Sequence, residues 1–316
     1  MKQTEILIPA EYLSSLHING MRGRMLKVPA KKQTKQATKI LLVYGHHSSI
    51  ERMYSLASYL SEYGEITMPD LPGFGGMDSF YVIGQRPSID AMADYLATYI
   101  KLTFKKNPIA VCGMSYGFLV VTRMLQKYPH MAQQITLLVS LVGFSHHEDF
   151  RFSPATHRLL STSAKLMSSA PLSFLAKHIF LTRPFITLSY TLSAHKHVKM
   201  KDASQEERKR RIRFEVYLWR CNDARTYFST SHDFLTIDLT KTAIPLALQH
   251  VSVQQDQYFN KKVVINHLKK IFRSVKVYSA TLPNHAPTVI SDENEASHLL
   301  PATLKRRLRT IKPSKV

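Results

Sequence analysis

The residues with the clearest chemical potential are Gly113-Met114-Ser115-Tyr116-Gly117. A serine hydroxyl is a poor nucleophile at neutral pH unless an imidazole accepts its proton and a carboxylate holds that imidazole in the right tautomer. The flanking glycines suit such a serine for steric reasons. At the apex of a sharp turn the chain passes so close to itself that a Cβ two residues before or after the serine would collide. With 11 glycines in 316 residues, two bracketing a serine by accident is a roughly few-per-cent event against ordinary glycine usage. An apolar run, Ile109 to Cys112, precedes the turn, and a helix-like segment, Phe118 to Tyr128, follows and stops before Pro129. Ser115 is therefore expected between a buried strand and a helix.

The elements that must position it alternate. Tyr12 to Ile18 and Met21 to Val28 read as strands around Asn19-Gly20, a hairpin pair. Lys39 to Tyr44 is a continuous apolar strand ending in the polar turn Gly45-His46-His47-Ser48-Ser49. Ile50 to Tyr63 is helical in spacing, Glu65 to Met68 a short strand, and Ser88 to Phe104 a second helix leading back to the strand before Ser115. Gln134 to Val142 is again a strand. The alternation then lapses for about a hundred residues of helical pattern, with helices expected at Ser153 to Leu166, Ser173 to Phe180, Pro184 to Leu192 and Gln205 to Trp219. It resumes with a strand from Ile244 to Val253, a helix from Asn260 to Phe272, a strand from Val275 to Ala280, and a last helix from Asp292 to Arg309, interrupted near Pro301. Such a pattern specifies an α/β protein with a mostly parallel central sheet of about eight strands and helices on both faces. The core is expected in residues 1–144 and 239–316, with a helical insertion over 145–238.

The chain resembles the α/β-hydrolase superfamily with a helical cap over most of its length. The resemblance is carried by Leu41-Leu-Val-Tyr-Gly-His46, Met68-Pro-Asp-Leu-Pro-Gly-Phe-Gly75, Gly113-Met-Ser-Tyr-Gly117, the late Asp256 and the histidine His285. It implies a triad in the order serine, acid, histidine. His285, in the loop after the last expected strand, is the implied base; His267 and His298, within helices, are expected at the surface. Asp256, after the strand from Ile244, is the implied acid, with Asp149 or Glu148 as the alternative placement. The implied oxyanion donors are the backbone N–H groups of His46 and Tyr116. Tyr44 stands where relatives usually have a histidine, and Phe118 where they have a small residue, which puts the loop's internal hydrogen bonds and the helix-to-sheet spacing in question. His46 and His47 read as polar loop lining rather than a metal pair.

The expected activity is hydrolysis of an ester or related acyl bond in a small-molecule, possibly lipid-like, substrate, through an acyl-enzyme on Ser115 with no cofactor or metal. The same triad would serve acyl transfer, and a degenerate site would leave a binding protein for anionic lipid or nucleic acid. Net charge is +21, which favours anionic surfaces. Yet residues 46–145, around Ser115, balance seven basic against seven acidic residues, and no Lys/Arg block is interleaved with aromatics, so nucleic acid is not the expected partner. Hydrophobic residues at 44% exclude disorder throughout. Ala170 to Ser193, the most apolar region, carries Lys177, His178 and Arg183 and is broken by Pro171 and Pro184, a poor membrane span. Two cysteines and no apolar leader in Met1 to Ala10 point to a reducing cytoplasm.

Overall fold

The computed structural model of the protein describes residues 8–31, 37–193, 204–281 and 292–310. Its centre is an eight-stranded sheet in the order β1-β2-β4-β3-β5-β6-β7-β8. The strands are β1 Leu13–Ile18, β2 Met21–Val28, β3 Lys39–Val43, β4 Glu65–Pro69, β5 Ile109–Met114, β6 Ile135–Leu141, β7 Ile244–Ser252 and β8 Phe272–Ser279. Pairings β1/β2 and β2/β4 are antiparallel, and every pairing from β4 to β8 is parallel. The turn between β1 and β2 is the expected Asn19-Gly20, with φ of 51° and 81°, the left-handed pair that a two-residue hairpin twisting with its strands requires.

β5 lies between β3 and β6 and is buried at all six positions. A strand covered on both faces has no solvent side to alternate with, hence the unbroken apolar run. Helices α1 Ile50–Leu60, α2 Ile89–Phe104 and α3 Tyr116–Lys127 connect the first parallel strands. Ser49 and Ser88 cap α1 and α2 through their hydroxyls. α3 packs on α2 and on β3 and β5.

Between β6 and β7 the chain is helical: α4 Pro154–Met167, α5 Ala170–Leu175 running into a wide turn Ala176–Phe180, α6 Arg183–Ser193, α7 Gln205–Cys221 and α8 Ala224–Phe234. After β7 come α9 Lys261–Ile271, α10 Glu293–Leu299 and α11 Ala302–Arg309, the last two divided at Pro301 as expected. α8 is the element that the sequence pattern does not announce. Its residues, Ala-Arg-Thr-Tyr-Phe-Ser-Thr-Ser-His-Asp-Phe, are mostly poor helix formers. The Asp223 side chain accepts from Thr226 N–H at 2.6 Å to start the helix. No described helix is long and apolar enough to cross a membrane.

Candidate active site

Ser115 sits between β5 and α3 with φ 48° and ψ −117°, a conformation costly for a residue with a side chain and held only by its surroundings. What holds it is visible on both flanks. A Cβ on Gly113 would lie 2.7 Å from Phe118 Cα, and one on Gly117 would collide with the carbonyl oxygens of Val43 and Tyr44. α3 therefore leaves the turn directly over the end of β3. Ser115 N–H donates to Leu141 O at 2.9 Å, tying the turn to β6. Tyr116 is the first residue of α3, so its N–H has no acceptor within the helix and lies at the positive end of the helix dipole.

The loop after β3 approaches from the other side: a Cβ on Gly45 would be 3.4 Å from Ser115 Cβ. His46 follows it. Its ring is enclosed by Tyr227 at 4.6 Å, Phe234 at 5.1 Å and Phe74 and Tyr116 at 5.2 Å between centroids. Its Nε2 meets Thr230 Oγ1 at 2.9 Å. Burial, helped by the neighbouring His47, pushes the His46 pKa down to about 3, so the ring is neutral beside Ser115. His47, at φ 50°, packs at a tilt on Trp219 with ring centroids 4.0 Å apart, meets Glu215 Oε1 through Nε2 at 3.1 Å and takes Asn222 Nδ2 at 3.1 Å on Nδ1. Both histidines thus anchor the loop to α7 and α8, and neither belongs to the group His146, Glu148 and His267, whose ligand atoms lie within 4.8 Å of one another.

Tyr44 supplies the hydrogen bonds that its substitution for histidine put in question. Fully buried, it donates through its hydroxyl to Asp70 Oδ1 at 3.0 Å and accepts from Leu71 N–H at 2.6 Å. Asp70 also accepts from Ile50 N–H at 3.1 Å and from Arg24 Nη2 at 2.9 Å, and Arg24 continues to Glu51 at 2.7 Å. One buried carboxylate therefore joins β2, the loop after β3 and the loop after β4. The bulk of Phe118 is accommodated rather than displaced: its ring occupies the space that a side chain on Gly143 would fill and lies 5.8 Å from Phe272.

Asp256 follows β7, partly exposed, and its Oδ1 accepts from Tyr258 N–H at 2.9 Å and Phe259 N–H at 3.1 Å, which fixes the side chain to its own turn. Asp149 is fully buried and committed elsewhere. It accepts from Ser145 N–H at 2.8 Å, His146 N–H at 3.0 Å and His267 Nδ1 at 2.7 Å. Glu148 is exposed. His267 is correspondingly not at the surface, as its lysine neighbours suggested, but buried from α9 against Asp149; the helix turns its lysines out and this one polar ring in, where a carboxylate satisfies it. His298 is exposed, as expected. His285 lies outside the described residues.

The strand, strained serine turn and helix at the centre of a mostly parallel eight-stranded sheet define an α/β-hydrolase enzyme. The chain belongs to the family of the serine aminopeptidase, S33, whose model matches residues 34–216. No curated protein matches it. Solved structures with the same fold include an esterase from Exiguobacterium antarcticum (12% identity, TM-score 0.64, covering 93% of this chain and 97% of that one). An enol-lactonase from Burkholderia xenovorans LB400 is 12% identical with a TM-score of 0.61, over 94% of this chain and 100% of that one. A thermophilic esterase from Thermogutta terrifontis, solved with malate bound, is 15% identical with a TM-score of 0.57, over 94% and 98%.

Proposed function

We propose that the protein hydrolyses an ester or related acyl bond of a small-molecule substrate through an acyl-enzyme on Ser115. The observation that carries this reading is the strained Ser115 turn, at φ 48° and ψ −117°, with the start of α3 on one side and the loop of Gly45 on the other. Ser115 Oγ attacks the carbonyl carbon as His285 takes its proton, and Asp256 holds the imidazole. The N–H groups of Tyr116 and His46 receive the oxyanion. His285 then protonates the departing alcohol, and water, deprotonated by the same imidazole, releases the acid.

Asp256 is preferred to Asp149 because the Asp149 carboxylate already holds the imidazole of His267, whereas the two backbone N–H groups on Asp256 both bond Oδ1. Residues 145–238 act as a cap. The contacts of Tyr227, Thr230 and Phe234 with His46, and of Phe234 with Tyr116 at 6.0 Å, support that role, since they lay α8 across the oxyanion side of the turn. Burial pushes the thiols of Cys112 and Cys221 up to about 12, so both stay protonated and neither competes with serine as the nucleophile.

The test is hydrolysis of a panel of chromogenic esters graded by acyl length. His285→Ala and Asp256→Asn each lower kcat/KM by about three to four orders of magnitude, while Asp149→Asn lowers stability and leaves the rate per folded molecule within a fewfold of the parent. Near-normal turnover in Asp256→Asn would remove that residue from the triad.

A further inference from the structure

Helices α5 and α6 and the wide turn between them leave several large apolar side chains facing water. Ser173, Ala176 and Ile186 are turned inward and buried, whereas Phe174 is 65% exposed, Phe180 56% and Leu188 54%. Leu175, Ile179 and Phe185 join them at the surface, and Phe180 and Phe185 touch, with ring centroids 5.9 Å apart. The neighbouring α4 adds Leu159 and Leu166, 66% and 59% exposed. An amphipathic helix in water turns its apolar stripe to the core, and clustered large apolar side chains at a surface mark a contact made with something else.

The charge around this surface indicates what. From Arg151 to Arg183 the sequence holds five lysines and arginines and not one aspartate or glutamate. Lys165 and Arg183 are exposed, and Lys177 is half-buried, among the outward apolar residues. Residues 46–145 are by contrast balanced, seven against seven, so this basic excess is not shared by the segment around Ser115. A partner offering only acidic groups would answer the charges but leave the phenylalanines and leucines in water. A bilayer with anionic headgroups answers both: apolar side chains enter the acyl boundary, and lysine and arginine bury their stems while their cations meet phosphate.

We propose that residues 170–188, with the adjoining face of α4, form a docking surface for an anionic phospholipid bilayer. α5 packs on α4 and α8, and α8 contacts His46, so the docked surface is one helix removed from the loop beside Ser115. The docking itself requires no reaction at Ser115, and its failure and the failure of the hydrolase reading are separately visible.

Cosedimentation of the full chain with vesicles tests it. Vesicles of equal parts phosphatidylcholine and phosphatidylglycerol retain the protein at low salt, release it progressively as salt rises, and bind it far better than phosphatidylcholine alone. Phe174→Ser with Phe180→Ser weakens the partition about tenfold or more. Lys177→Gln with Arg183→Gln weakens it about fivefold for each charge removed; this pair keeps the test intact should the apolar variant fold poorly. Ser115→Ala binds as the parent does. Absence of binding at low salt overturns the proposal, as does parental binding by both double variants, which would place the contact on another basic surface such as the chain's Lys/Arg-rich end. A dimer in solution that the phenylalanine variant converts to monomer would assign the patch to a second copy and overturn it equally.

Discussion

Tyr44→Phe deletes one oxygen atom from the centre of the scaffold behind the serine turn. The hydroxyl it removes is fully buried, donates to Asp70 Oδ1 at 3.0 Å and accepts from Leu71 N–H at 2.6 Å. Leu71 is itself fully buried, so its N–H is left without that acceptor and without water, at a cost of about 1–3 kcal/mol. Asp70 keeps Ile50 N–H and Arg24 but loses a donor to a carboxylate, about 1.5–3 kcal/mol more in gross terms and less after the side chain relaxes toward the remaining partners. A net loss of about 3 kcal/mol lowers the melting temperature by about 4–5 °C in a chain of this size. The kinetic effect is separate. Tyr44 directly precedes Gly45 and His46, and one lost oxyanion donor is worth about 10²–10³ in kcat; a loosened rather than deleted donor therefore costs about tenfold, with KM little changed. Calorimetry and ester hydrolysis on the same preparation read both. A melting temperature within a degree of the parent with unchanged kcat would refute the assignment of Tyr44 as the group that fixes this loop.

Gly117→Ala drives a methyl group into the Val43 and Tyr44 carbonyl oxygens, and urea unfolding should register a loss of about 1–3 kcal/mol or more together with a fall in activity, because α3 must move off β3; a neutral substitution would contradict the close approach. Gly143→Ala meets the Phe118 ring, and its cost should shrink by about 0.5–1.5 kcal/mol when combined with Phe118→Leu in a double-mutant cycle. Strict additivity would show that the glycine does not make room for the ring. His250 is buried and bonded to Ser140 at 3.0 Å, and burial pushes its pKa down to about 4. The unfolded chain binds a proton there below about pH 6.5 and the folded chain does not until about pH 4, so stability is lost as pH falls across that window, by about 2 kcal/mol at pH 5. In urea titrations at pH 7 and pH 5, His250→Gln should lose about 2 kcal/mol less than the parent; equal losses would contradict a buried neutral imidazole.

Much of the fold was legible because the physics that sets it is local and periodic. Strands covered on both faces are apolar over most of their length, and Ile109–Met114 and Leu137–Val139 read that way. Asn19-Gly20, Ser49, Ser88 and Pro301 mark element boundaries by backbone preference and capping alone. The serine turn was legible because collision at Gly113 and Gly117 leaves no other residue type. What escaped was decided by partners distant in sequence. α8 forms from poor helix formers because Asp223 starts it and because Thr230 and Phe234 find His46. The Asp149–His267 pair joins residues 118 apart, and nothing in the lysine-rich surroundings of His267 signals an inward ring. Tyr44 reads as a departure from the usual histidine until Asp70 and Leu71 are seen around its hydroxyl.

The central claim is that Ser115 is a nucleophile activated by its setting, and a fluorophosphonate probe addresses it directly. The folded parent protein should be labelled at Ser115, identified by peptide mass spectrometry, with no labelling in Ser115→Ala and a loss of about three orders of magnitude or more in labelling rate in His285→Ala. A parent protein that melts cooperatively yet stays unlabelled, or one labelled at a serine other than Ser115, would contradict the account.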